Sequence, residues 1–166
     1  MTNAFKIKVR EQLIESAQDY FKLLSKTIVL ESDEFSFQKT YSLRFNKRNF
    51  LHLTGVYSLL TAEAFFEKCL DGSISIDDFD ANEQKNKSTI KKKLKHLVNL
   101  STSFDDEILV QEQFIKNRII CKIATSDNSK TIGFVDGHYC VWPSTLLDKN
   151  HLDENKTIVK VVPLIK

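Results

Sequence analysis

The chain has 166 residues, 42% of them hydrophobic, and a formal net charge of +2. That length suits one domain and lets a core form without disulfides or metals, while the near-balance of charge argues against a polycation built for indiscriminate nucleic-acid binding. The three cysteines, Cys69, Cys121 and Cys140, are odd in number and far apart, so free thiols in a reducing cytoplasm are expected rather than a disulfide framework or a zinc site. No apolar leader and no run of about 18 apolar residues is present, which makes a cytoplasmic protein with no membrane contact the expectation.

Read in chain order, the first element is a helix over residues 4–25. Leu13, Ile14, Ala17, Tyr20, Phe21 and Leu24 form its apolar stripe, with Arg10, Glu11, Glu15 and Lys22 opposite. The period then changes to two. Phe35, Phe37, Lys39, Tyr41, Leu43 and Phe45 alternate with Ser36, Gln38, Thr40, Ser42 and Arg44, and residues 27–45 read as a hairpin. A short helix or turn follows and ends at Gly55 in a left-handed position. Thr61 opens a second helix that closes at Asp71-Gly72, and residues 75–79 suggest a helical turn.

An acidic stretch (Asp77, Asp78, Asp80, Glu83) runs directly into Lys85, Lys87, Lys91, Lys92, Lys93 and Lys95. Such a block is a solvated helix face or a phosphate-contacting surface. Ser88 is placed to cap a third helix reaching about Leu100. Strands return at 118–125, with Ile119, Cys121 and Ile123 on one side and Arg118, Lys122 and Ser126 on the other. A turn at 127–130 precedes a strand over 131–136. Gly137-His138 makes a further turn, Pro143 is placed to open a short helix over 143–147, and residues 157–165 read as one last strand. Helices first and a meander after them give an α+β fold: one domain over 1–166, with the N-terminal helix and helical middle packed on an antiparallel, twisted sheet.

No P-loop, Gly-rich dinucleotide turn, metal motif or G-x-S-x-G elbow is present, so no cofactor and no metal is expected. What remains is a polar set suited to metal-free phosphodiester cleavage, which needs a base, an acid and fixed cations where negative charge builds up. His52 is the candidate for proton transfer, because histidine titrates near physiological pH. Arg44 and Lys122, each opposite an apolar strand face, are candidates for holding phosphate, and Thr54 for orienting substrate. Ser126, Thr131, Lys91, Lys92 and Arg118 are candidate substrate-binding residues. His96 is expected at the surface, His138 is a turn residue or a site member, and His151 lies in a polar loop.

The run Phe-Asn-Lys-Arg-Asn-Phe-Leu-His-Leu-Thr-Gly at 45–55 resembles the phage-associated nucleases grouped as Barnase–EndoU–colicin E5/D–RelE-like, in their fourth subgroup. Segments 65–70, 89–94, 123–126 and 132–135 follow in that family's order, so the resemblance covers about residues 23–147. It implies a compact sheet with helices against it, a phage or mobile-element origin, and RNA cleavage without a metal. Of the candidates, only His52 and Thr54 carry over through the motif. The expected partners are RNA (tRNA or mRNA) and an inhibitor, antitoxin or host protein. The alternative is a non-catalytic binding module that inhibits a host or defence protein or binds RNA as an accessory; a third reading is a structural virion or accessory protein.

Overall fold

The structure, a computed structural model, describes residues 1–81 and 87–166, so Glu83 and Lys85 of the charged run lie outside the described residues. It is an α+β fold whose chain divides into two compact units. Residues 1–24 and 46–101 form a helical unit; residues 25–45 and 102–166 form a sheet unit. Neither is a contiguous segment, because the chain passes from one to the other three times.

In the helical unit, α1 (Asn3–Leu24) buries Phe5, Val9, Leu13, Ala17, Tyr20 and Leu23, a row at steps of three and four. Phe21, expected on that stripe, is exposed, because it stands one residue beyond Tyr20 and about 100° around the helix. Arg10 reaches from α1 to the carbonyls of Ile74 (2.6 Å) and Gly72 (2.7 Å).

The next helix, α2 (Lys47–Thr54), begins at Asn46, whose side chain accepts from the Arg48 and Asn49 amides while Asn49 returns a bond to the Asn46 amide. It ends at Gly55 in the left-handed conformation expected, φ 79°. A Cβ there would also stand 2.9 Å from Lys93 Cδ. The Thr61 hydroxyl caps α3 (Ala62–Asp71), which stops at Gly72 (φ 80°). α4 (Lys87–Leu97) contains Ser88 and ends three residues short of the expected Leu100, where a 3-10 turn (Leu100–Phe104) takes over.

Residues 75–78 are a non-helical turn held by Asp78, whose carboxylate accepts from the Ser75 amide (2.8 Å). The strand that follows, β4 (Phe79–Ala81), pairs with β3 (Val56–Ser58). The core of this unit is aromatic. Phe50 packs on Tyr20, Phe66 and Phe65 with centroids 5.2, 5.0 and 6.1 Å away, and the Tyr20 hydroxyl donates to the Asn46 carbonyl (2.7 Å). Tyr20 thereby ties α1 to the residue that starts α2.

The sheet unit carries β1 (Thr27–Glu31), β2 (Thr40–Arg44), β5 (Ile108–Lys116), β6 (Ile119–Ser126), β7 (Lys130–Asp136), β8 (Val141–Asp148), β9 (Val159–Val161) and β10 (Leu164–Ile165). Their order is β10-β1-β2-β8-β7-β6-β5-β9, antiparallel except at β2 and β8, where Leu43 pairs with Val141 in parallel. The hairpin expected over 27–45 is present. Its second strand starts only at Thr40, and Phe37 is exposed in the loop before it.

Two expectations fail at prolines. Pro143 lies within strand β8 instead of opening a helix; it pairs with Phe134 at a register shift that leaves Ser144 unmatched, the kind of irregularity at which a sheet tolerates proline. The single last strand is two, split by Pro163. β9 pairs with β5 and β10 with β1, so adjacent pieces of chain line opposite edges of the sheet.

Turn 127–130 joins β6 to β7 around one carboxylate. Asp127 accepts from the Ser129 amide (3.0 Å) and hydroxyl (2.7 Å), and from the Lys130 amide (3.2 Å) and ammonium (2.8 Å). Burial raises its pKa, but the hydrogen bonds from Lys130 and Ser129 and the Lys130 charge outweigh it, and the net shift is downward. A depressed carboxylate stabilises the fold above its unfolded pKa and loses that contribution as pH falls through the folded value. Asp127→Asn is therefore expected to cost roughly 1–3 kcal/mol at neutral pH. The difference from wild type should shrink below about pH 4 in denaturant titrations.

Candidate active site

The sequence candidates fall into the two units. Arg44, Lys122, Arg118, Ser126 and Thr131 belong to the sheet unit; His52, Thr54, Lys91 and Lys92 belong to the helical unit.

Strand alternation places Arg44 and Lys122 as expected. In β2, Tyr41 and Leu43 are buried while Thr40 and Arg44 are exposed; in β6, Lys122 lies between buried Cys121 and Ile123. Lys122 lines a polar depression of about 240 Å³ with Gln38, Thr40 and Ser42 from the β2 side and Asp136, His138, Tyr139 and Cys140 from the β7–β8 turn. Its ammonium donates to Asp136 at 3.2 Å. Arg44 acts on the same turn: burial pushes the Cys140 thiol up, and the Arg44 charge pulls against it. Because β8 and β7 lie between β2 and β6, the depression gathers side chains from strands that are not neighbours in the sheet.

Ser126 and Thr131 pair across β6 and β7 at the other end of those strands, four residues from Lys122. Both are buried with committed hydroxyls. Ser126 donates to the Lys130 carbonyl (2.8 Å); Thr131 donates to the Lys149 carbonyl (2.9 Å) and accepts from the His151 amide (2.8 Å). They hold turns, and neither presents a hydroxyl to solvent. Arg118 is exposed in the β5–β6 turn. His151 contacts the Lys116 ammonium through Nδ1 and the Asp148 carbonyl through Nε2 (2.6 Å).

In the helical unit, His52 is exposed in the last turn of α2. It lines a depression of about 370 Å³ with Arg48, Tyr57 and Ser58. Thr54 is fully buried; its hydroxyl donates to the Leu51 carbonyl (2.6 Å) and accepts from the Val56 amide (3.2 Å), so it shapes the chain around Gly55. Lys91 and Lys92 lie on an exposed face of α4 with Lys87 and Lys95, and Lys87 and Lys91 stand 5.0 and 5.7 Å from the Phe5 ring centre. His96, expected at the surface, is buried. Cys69 is buried too, its thiol pushed up to about 12 mainly by that burial.

A family model described as phage-Barnase-EndoU-ColicinE5/D-RelE like nuclease4 matches residues 12–166. The chain belongs to that nuclease family. The match runs beyond the expected 23–147 to take in most of α1 and the strands β9 and β10. No curated protein and no solved structure matches the chain. Among the described residues no helix is long and apolar enough to cross a membrane, and no three His, Cys, Asp or Glu side chains cluster as metal ligands would.

For this nuclease, the residues least visible from sequence are Asp136 and Glu112. The signal for Asp136 was its place beside the Gly137-His138 turn. Glu112 lies in β5. Its carboxylate accepts from the Ser36 amide (2.6 Å), the Phe37 amide (3.0 Å) and the Tyr41 hydroxyl. Burial raises the Tyr41 pKa, and the Glu112 hydrogen bond and charge add to the rise, which keeps the phenol a donor. Glu112 thus fixes the loop whose next residues, Gln38 and Thr40, line the depression. Glu112→Ala is expected to destabilise the protein by about 1–3 kcal/mol. Amide hydrogen exchange should accelerate first at Ser36 and Phe37.

Proposed function

We propose that the chain is a metal-independent endoribonuclease of phage or mobile-element origin, acting in the cytoplasm on tRNA or mRNA, with its reaction centre in the β7–β8 depression. A base takes the proton of the 2′-hydroxyl, the 2′-oxygen bonds to phosphorus, the bond to the 5′-oxygen breaks, and an acid protonates that leaving oxygen. Asp136 and His138 are the proton-transfer groups. Lys122 and Arg44 hold the phosphate and stabilise the charge that builds on it. The observation that carries the reading is that one depression of a nuclease-family chain holds a carboxylate, an imidazole and a lysine. The three cysteines are free, which supports a reducing compartment.

His52 carries the family-like motif and is solvent-accessible, so it is ranked against His138 by experiment. Purified protein is incubated with total RNA in EDTA. Wild type is expected to cleave, His138→Ala and Lys122→Ala to lose about 10²–10⁴-fold in rate, and His52→Ala to stay near wild type. Loss in His52→Ala alone moves the reaction centre to the α2 depression. Intact RNA with wild type overturns the enzyme reading. The second reading, an RNA-binding module, is favoured by the exposed lysine face of α4 and predicts salt-sensitive RNA retention with no cleavage products.

A further inference from the structure

Tyr139 is the most exposed aromatic residue among those described, at 89% of its possible accessibility. A single exposed ring is ordinary on a protein surface. This one stands at the lip of a polar depression and on a defined support. The turn that carries it is closed by the Gly137 amide donating to the Cys140 carbonyl (2.8 Å), and Gly137 lies so close to the Trp142 indole that a Cβ would clash. The His138 ring meets Tyr139 nearly at right angles, 72° with centroids 4.3 Å apart, which braces the ring and leaves it open to solvent. Beyond it the lining consists of side chains suited to the edges of a base and to phosphate: Gln38, Thr40, Ser42, Lys122 and Asp136.

We infer that this depression takes single-stranded RNA, with one unpaired base stacked on the Tyr139 ring and the adjoining phosphate held by Lys122. The inference rests on reading the depression as an RNA site, and it does not require cleavage. A stacking platform needs a free base face. Bases in a duplex are stacked on their neighbours and paired at their edges, so a duplex cannot cover Tyr139 without coming apart. Lys122 is held by Asp136 in the unliganded site. An arriving phosphate draws the ammonium away and frees the Asp136 carboxylate.

The test is fluorescence anisotropy with the full chain and a short labelled 2′-O-methyl RNA, which resists attack by its own 2′-oxygen. The same RNA annealed to its complement is the duplex probe. The single strand is expected to bind at least about 10-fold more tightly than the duplex, and Tyr139→Ala to weaken single-strand binding by about 10-fold. Tyr139→Phe should keep that affinity, and Lys122→Ala should lower it and flatten its salt dependence. Circular dichroism of each variant confirms the fold. Equal affinity for the duplex, an unaltered Tyr139→Ala, or no binding at all overturns the inference. Binding through Tyr139 with unmodified RNA left intact sinks the cleavage reading and leaves this one standing. Cleavage with binding indifferent to Tyr139 does the reverse.

Discussion

The sheet unit depends on its last eight residues. β9 completes one edge by pairing with β5, β10 completes the other by pairing with β1, and only Val162 and Pro163 separate them. Three Cα steps reach at most about 11 Å, so the two edges of an eight-stranded sheet are held within that distance of each other. A flat sheet of eight strands cannot meet that limit. The sheet must curl, and eight strands enclose about the space that side chains can fill. Within this unit Phe45 packs on Phe104 and Phe134, with ring centres 6.0 and 5.9 Å away. Mutual amide bonds between Thr27 and Lys166 (3.0 and 2.9 Å) fasten the end of the chain. The two outermost strands, β9 and β10, are only three and two residues long, which keeps the edges short.

Curling decides where function can lie. The buried side chains of this unit are mostly phenylalanine and aliphatic residues, so accessible chemical groups lie at strand ends, in connecting turns and on the solvent-facing side of the strands. The two ends of the β6–β7 pair divide the work. At one end, Ser126, Asp127, Lys130 and Thr131 satisfy one another and the backbone. At the other end, Lys122 and Asp136 face a depression closed off by the β7–β8 turn. The register shift at Pro143 and the unmatched Ser144 falls just after that turn.

How much of this was legible follows from which signals are local. Caps are local: Gly55, Thr61 and Gly72 read correctly because each needs only its neighbours. Alternation is nearly local, and it placed Arg44 and Lys122 on the polar faces of their strands. Strand partners are not local. Nothing in residues 157–165 alone says that the two halves flanking Pro163 serve opposite edges. A Pro-Ser-Thr start is chemically as good for a helix as for a bulged strand, and pairing with β7 decides it. Hydroxyl roles were unreadable for the same reason. Thr54, Ser126 and Thr131 look in sequence like any substrate-binding hydroxyl, and only the fold shows each bonded to main chain. Glu112 was invisible because its three donors lie more than 70 residues away in sequence.

The two lysine–aspartate pairs at the ends of β6 and β7 separate structure from function on physical grounds. Lys130 and Asp127 are 5% and 26% exposed and 2.8 Å apart, and the carboxylate also closes a turn; removing either leaves buried polar groups unmatched. Lys122 and Asp136 are 33% and 69% exposed at 3.2 Å, a pair that water and salt screen and that contributes about 0–1 kcal/mol at most. Folding therefore has little use for the second pair. An ammonium so loosely held can exchange its carboxylate for a phosphate at almost no energetic loss, which is what a site that binds and releases a polyanion requires. The same contrast separates the buried hydroxyls of Ser126 and Thr131 from the open ring of Tyr139. In this sheet the groups that stability does not need are gathered at one end, around Lys122, and that is the end where the nuclease reading places its chemistry.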